Sequence, residues 1–452
     1  MKHVLVLDNP TGPSLTAPPS YTTFVDARTD PAVRILLISG KVSAQDAANT
    51  LSHAEVANAS STGALELAAL TMHQTHRVDA VYTNQEDLVL RAAHLRTLLN
   101  VQTGLMPQDA TCFRDKVRMK ELLGTQGSSV NVPMFERVWS PANVIAFIQK
   151  VGYPVVIKPS LGSASASVTV LRTDAERNAY LCNDFYSRID EEGKCMDYSG
   201  DMIIEQFVPG SMVHINGYAR NGKVEIAWPF RYINTNLGFT TGAAYGNILI
   251  CANTAHHTAL VNAAQNALDR LPCPEHLIFH LELFEQCGKQ AGTFEYTLCE
   301  IAARRPGGSI GNLIQRCESS DTVTDTDSVK SLFQEMEFRL SCGLGLRHDR
   351  ERMSRYARGD AGYCIGDLIV PLRIGKLVQI PDSNLCPVEG VTVVQVAKPG
   401  VEYSGFSINT MNTCVRFIAV SREGESVNEA QIEERLQRAH EWYQQNVVYT
   451  SV

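Results

Sequence analysis

A lysine inside an apolar, β-branched run, Tyr153-Pro154-Val155-Val156-Ile157-Lys158-Pro159, constrains this chain more than any other feature. The run has the composition of a buried strand, where an unpaired ammonium is expensive to desolvate. Lys158 therefore needs an anion. The next residues, Ser160-Leu161-Gly162-Ser163-Ala164-Ser165-Ala166-Ser167, form a small-residue loop whose amides and hydroxyls suit phosphate oxygens. A second lysine, Lys116, precedes Lys158 by 42 residues in Asp115-Lys116-Val117-Arg118-Met119-Lys120. Val117, Leu122 and Leu123 give that segment a helical stripe, ended by Gly124 and Gly127. Lys116 and Lys120 share one face, which alone reads as a solvated surface. Combined with the Lys158 run, the segment reads as part of a nucleoside triphosphate site.

Three further stretches add to it. In Asp201-Met202-Ile203-Ile204-Glu205-Gln206-Phe207-Val208-Pro209-Gly210 an apolar strand enters a Pro-Gly turn. Its last residues, Glu205, Gln206, Phe207 and Val208, are where a chain offers free amides and carbonyls to an adenine edge. Ile278-Phe279-His280-Leu281-Glu282-Leu283-Phe284 and Phe294-Glu295-Tyr296-Thr297-Leu298-Cys299-Glu300-Ile301 read as two strands joined by a loop from Gly288 to Gly292. A hairpin turning near residue 290 sets Glu282 opposite Glu300. A divalent cation relieves their repulsion, and an oxygen-only ligand set favours magnesium over zinc; the alternative is a pair of solvent-facing carboxylates. His280 falls on the face of Glu282 by period-two alternation and reads as a hydrogen-bonded structural histidine. Arg304 and Arg305 lead into Pro306-Gly307-Gly308-Ser309-Ile310-Gly311, a glycine-rich turn opening a helix and a natural cradle for anions.

The first hundred residues alternate apolar strands, Val4 to Leu7, Arg34 to Ile38 and Ala80 to Tyr82, with helical runs at Ala64 to Leu70 and Leu88 to Leu95. That order predicts a parallel α/β domain. Asn84 and Glu86, just past the third of these strands, become candidates for substrate contact. Length predicts two to four domains, since 452 residues exceed the roughly 100 to 200 of one domain. A net charge of -8 argues against a general nucleic-acid binder. The closest pair among 12 cysteines, Cys287 and Cys299, has the wrong spacing for a metal knuckle, so reduced, structural cysteines in a cytosolic protein are expected. No apolar run approaches the ~20 residues of a membrane span.

In this order the pieces resemble the ATP-grasp superfamily of carboxylate-amine ligases, most closely its L-amino-acid (dipeptide-forming) branch. The motifs are D-K-x-x-x-K, Y-P-V-V-I-K-P with a Ser/Gly loop, I-I-E-Q-F-V-P-G, F-H-L-E-L and C-E-I-A-A-R-x-P-G-G. The resemblance implies an α/β and α+β multidomain fold. An N-terminal parallel α/β domain (1–108) would precede a small ATP-grasp subdomain (109–204), a large one (205–340) and a C-terminal α+β completing or lid subdomain (341–452). It implies that Lys116 and Lys158 bind ATP phosphates under a mobile flap containing Gly162, Ser163, Ser165 and Ser167. Glu205 to Val208 would lie along adenine, Glu282 and Glu300 would hold Mg2+, with Mn2+ as a substitute, and Arg304 would steady an acyl phosphate. Arg305, Gly307 and Gly308 would complete the substrate cradle. Two positions depart from the family pattern: Ala302 stands where an Asn metal ligand is usual, and Ser211-Met212-Val213-His214 lacks the usual ribose-binding Glu.

The chemistry so implied is ATP-dependent amide formation between an amino acid or similar carboxylate and an amine, releasing ADP and phosphate. A closing Ser/Gly flap would keep water from the activated intermediate. Partners are then small molecules, with neither nucleic acid nor membrane involved, and a homodimer is the default assembly. The alternatives are a ligase that loads a carrier protein or other non-amino-acid acceptor, and a catalytically silent ATP-binding scaffold. In the tail, Val391 to Val396 and Val415 to Val420 read as strands, and Ser426-Val427-Asn428-Glu429 as a capping box before an amphipathic helix carrying Ile432, Leu436, Ala439 and Tyr443.

Overall fold

The computed structural model describes residues 1–8, 32–57, 62–125, 130–163, 165–183, 185, 188–189, 195–196, 202–240, 242–288, 290, 293–318, 332–344, 363–403, 413–421, 425 and 427–450. Near the N-terminus, four parallel strands lie in the order Ser52–Glu55, Val33–Ser39, Lys2–Leu7, Ala80–Tyr82. The sequence reading finds three of them. The fourth, Ser52–Glu55, is a short edge strand of sequence SHAE with no fully buried residue, so it carries no apolar run to betray it.

Alternation along these strands divides the core in two. Leu5, Leu7, Leu36 and Ile38 pack with the helices Ala64–Thr75 and Val89–Leu98. Val4, Val6, Ile35 and Leu37 face the other way and meet Phe338 and Cys342, at the end of the helix Leu332–Ser341 and just beyond it. Tyr82 and Phe338 pack edge to face at 5.1 Å between ring centroids. A helix from far down the chain thus returns to cover the first sheet.

A second sheet, ordered Phe135–Val138, Met202–Gln206, Val155–Pro159, Thr169–Leu171, is antiparallel. Val155 and Ile157 bury against Val144, Phe147 and Ile148 of the helix Pro141–Val151. Val156 and Lys158 consequently face the opposite way. Met202–Gln206 spans the expected boundary at residue 204, then gives way to Pro209 and Gly210. Gly210 has φ +131°, and a Cβ there would stand 2.5 Å from the Glu285 carbonyl oxygen, so only glycine makes this turn without strain.

The third sheet runs Phe294–Ala302, His276–Cys287, Ser211–Arg220, Lys223–Ile233, Tyr245–Leu249, Ile365–Pro371, Thr413–Val420, Val391–Gln395. The last three strands come from the C-terminal segment, which therefore continues the sheet of residues 205–340. The helix Glu429–Asn446 packs Ile432, Leu436, Ala439 and Tyr443 onto this extension. Its capping box is placed two residues beyond the expected one. Asn428 accepts from the Gln431 amide, and the Gln431 side chain accepts from the Asn428 amide; Ser426 lies outside the described residues. No disulfide joins the described cysteines, and no helix among the described residues is long and apolar enough to cross a membrane.

Replacing the cap tests the assignment. Asn428→Ala should lower stability by about 1 kcal/mol, seen as a reduced denaturation midpoint with unchanged m-value, whereas Glu429→Gln should leave the midpoint nearly in place.

Candidate functional site

Lys158 does meet an anion, and the chain itself supplies it. Pairing across the small sheet sets Lys158 opposite Ile203 and Val156 opposite Glu205, so Lys158 and Glu205 are diagonal neighbours on one face. Their side chains form a close ion pair. Glu205 also faces the fully buried Lys120, 3.5 Å away. Burial opposes ionisation of Glu205, but Lys120 and Lys158 outweigh it and hold its carboxyl below the usual range. The two lysines respond in opposite directions. Burial lowers Lys120, which also feels the Lys158 charge; Lys158 is buried too, yet its closer contact with Glu205 raises it. Glu205 is thus committed through its side chain to two lysines. In the same stretch, the Gln206 and Phe207 amides donate to the Met134 and Pro154 carbonyls. Those two donors are not free for an adenine edge, contrary to the sequence expectation.

The helix Lys116–Leu123 begins at Asp115, whose side chain accepts from the Val117 and Arg118 amides. Arg137 pairs with the other Asp115 oxygen at 2.5 Å. This cap sets the direction in which Lys116 and Lys120 leave the helix. Lys120 Nζ donates to the Cys299 carbonyl at 2.7 Å. Lys116 Nζ donates to the Gly162 carbonyl at 2.6 Å and pairs with Glu300 at 2.8 Å. Arg114 donates to the Leu161 carbonyl at 2.6 Å, so two cations from this region hold the start of the Ser/Gly loop. Ser165 and Ser167 have φ +58° and +59°, left-handed values that are costly for non-glycine residues.

The two glutamates face each other as the hairpin predicts. Glu282 pairs directly with Glu300, with a bulge immediately after Glu282. Tyr232 donates its hydroxyl to Glu282 at 2.5 Å, while Lys116 engages Glu300. Burial opposes ionisation of Glu300, but Lys116 and then Lys158 pull its carboxyl down to about 2. Ala302 lies cross-strand from His280. Two directly opposed carboxylates on a cavity wall are a donor set that fits a hard cation such as Mg2+. Among the described residues no three His, Cys, Asp or Glu side chains enclose an ion as they are placed.

Arg304 follows the hairpin and pairs with Glu86, which Arg114 grips as well. Burial works against the Glu86 charge, yet Arg304 and Arg114 keep its carboxyl below the usual range. Arg305 turns away, its amide donating to Glu337 at 2.8 Å, and Tyr82 donates to the same carboxylate at 2.9 Å. Gly308 takes φ +58° just before the helix Ile310–Glu318, as a glycine-rich helix entry requires.

These segments enclose one cavity of about 470 Å³. Lys116, Lys158, Glu205, Gln206, Phe207, Val208, Glu282, Glu300 and Arg304 line it, with Gly162, Ser163, Ser165, Gly307 and Gly308. Asn84, Glu86, Arg305 and Ser167 are not among its lining residues. Glu86 reaches it only through Arg304; Asn84 accepts from the Gln85 side chain instead.

Sequence reasoning overlooked the apolar wall of Met212, Tyr232, Leu237, Phe239, Tyr245 and Phe284. Its signal was the density of aromatic residues between 230 and 245, which a core would produce equally well. His214, in the stretch lacking a ribose-binding Glu, is fully buried behind that wall and bonded to Asn247 and Asn216.

No family model matches the chain, and no curated protein does. Solved structures do. An L-amino acid ligase from Bacillus licheniformis superposes with TM-score 0.67 at 16% identity, over 100% of this chain and 99% of that one. N5-carboxyaminoimidazole ribonucleotide synthetase from Thermotoga maritima gives 0.58 at 15%, over 100% of both chains. The biotin carboxylase domain dimer of the Hydrogenobacter thermophilus 2-oxoglutarate carboxylase, in complex with MgADP, ADP and bicarbonate, gives 0.58 at 14%, over 99% of this chain and 91% of that one. At these identities the likeness shows the fold, which is the ATP-grasp fold.

The Lys116–Glu300 pair sets an acid limit. A carboxylate whose folded pKa is depressed stabilises the fold above its unfolded pKa, and that contribution is lost as pH falls through the folded value. Glu300→Gln should therefore cost about 3 kcal/mol near neutral pH. The gap between variant and native protein should close as pH falls from about 4.5 toward about 2, measured by denaturant titration at successive pH values.

Proposed function

We propose that this chain is an ATP-dependent, ADP-forming ligase that joins the carboxylate of an amino acid or similar acid to an amine. One observation carries the reading: a single cavity brings together two lysines, an opposed pair of carboxylates and a partly buried arginine beside a glycine-rich helix entry. The fold, shared with ligases that include an L-amino acid ligase, supports it.

A carboxylate is a poor electrophile at neutral pH, so the γ-phosphoryl group moves to it first. The bond from the γ-phosphorus to the bridging oxygen breaks, ADP leaves with that oxygen, and a carboxylate oxygen takes its place in an acyl phosphate. Lys116 and Lys158 would hold phosphate oxygens once each loosens its carboxylate partner. Glu282 and Glu300 would hold Mg2+, which supplies charge neutralisation for the transferring oxygens. The amine then attacks the acyl carbon, phosphate leaves with the carbon–oxygen bond broken, and the nitrogen gives up its proton to the departing phosphate. Arg304, oriented by Glu86, faces the developing oxyanion. The apolar wall from Met212 to Phe284 would take the adenine on one side and help exclude water on the other.

A phosphate-release screen over pairs of amino acids, with mass spectrometry of the products, tests the proposal. Amine-dependent phosphate release with a dipeptide or other amide product is the expected result. ATP binding without turnover across the panel would instead identify a silent scaffold. Lys158→Ala should reduce turnover by at least a hundredfold while the circular dichroism spectrum stays native; full activity in that variant would overturn the assignment of the phosphate site.

A further inference from the structure

Five buried or nearly buried side chains form a hydrogen-bonded relay ending at His280, and its polarity is fixed at the far end. Asp367 is fully buried and accepts from Arg416 at 2.8 Å and from Ser309 at 2.5 Å. An ionised carboxylate only accepts, so the Asn247 amide nitrogen, 2.8 Å from Asp367, must be the donor there. The Asn247 amide oxygen is thereby turned to His214 Nε2, which donates at 3.1 Å. His214 is fully buried, and burial followed by the nearby His280 holds it far below its ordinary pKa. Its Nδ1 is an acceptor and takes the Asn216 amide nitrogen at 3.0 Å. Asn216 then has only its oxygen to offer His280, whose Nδ1 donates at 2.8 Å.

The relay leaves His280 Nε2 as the ring atom that faces the cavity side of the hairpin. It lies 3.4 Å from Glu282 Oε1, and that oxygen already accepts the Tyr232 hydroxyl. At 3.4 Å the two atoms are farther apart than a normal hydrogen bond, and a cation shared between them would engage both. A separation of 3.4 Å is a few tenths of an ångström beyond the roughly 3.0 Å between adjacent ligands on an octahedral ion with bonds of about 2.1 Å, a gap that a small side-chain shift closes. Opposite His280 stands Ala302, whose methyl group offers no competing donor.

We infer that His280 Nε2 is a nitrogen ligand of the divalent ion at Glu282 and Glu300, aimed there by the relay from Asp367. The inference rests on the metal-dependent ligase reading above. Binding requires Glu300 to exchange its Lys116 contact for the ion, a side-chain rotation. A mixed nitrogen and oxygen set moves the preference of the site from Mg2+ toward Mn2+ relative to carboxylates alone.

The test is pulsed electron paramagnetic resonance on the full-length protein loaded with Mn2+ and ADP. The expected spectrum shows a nitrogen coupling that changes when the protein carries 15N-labelled histidine. His280→Gln should abolish that coupling and weaken Mn2+ binding by about tenfold or more, with a smaller loss for Mg2+. The native spectrum decides the matter even if the variant fails to fold. Bound Mn2+ without a histidine nitrogen would overturn the inference and leave His280 as a neighbour of Glu282 alone. No Mn2+ binding in the presence of ADP would overturn the ligase reading as well.

Discussion

Glu205 holds the site together because two lysines from different elements depend on it. Lys158 comes from a strand of the small sheet and Lys120 from the helix that precedes it, and neither ammonium has another carboxylate so near. Removing one partner from such a buried cluster leaves charge uncompensated, which costs more than the intact cluster contributes. The arrangement fixes the helix against the sheet and thereby places Lys116, one turn away, at Glu300. Electrostatics and backbone geometry specify the same placement.

Much of this was legible in the residues. The apolar run Val155 to Lys158 called for a buried strand whose lysine needs an anion, and the hairpin register of Glu282 and Glu300 followed from the loop between their strands. Both are local properties of strands, where sequence and structure are most tightly linked. The partners of the charges were not legible. That Lys158 meets Glu205, that Arg304 meets Glu86 over 218 positions of chain, and that Arg305 turns aside to Glu337 depend on how distant segments fold together. The short polar strand Ser52–Glu55 escaped for a different reason, since an edge strand with little to bury leaves little pattern.

The buried polar relay shows the same division. His280 could be placed on the face of Glu282 from alternation alone, but its tautomer is set by Asp367, 87 positions away, through three intervening side chains. Such networks specify orientation only when every member is satisfied. Here Asp367 is saturated by Arg416, Ser309 and Asn247, which gives the remainder a fixed direction. The C-terminal segment therefore contributes to the cavity without lining it.

The placement of the last three strands of the large sheet bears on how this polypeptide can be divided. Every residue of Tyr245–Leu249 is buried, and Ile365–Pro371 pairs along it. A chain ended near residue 341 would expose that row of amides and carbonyls as an open, apolar flank, ready to recruit another copy edge to edge. Its expected fate is edge-to-edge association, so the final hundred residues act as a built-in cover for a flank that would otherwise stay open.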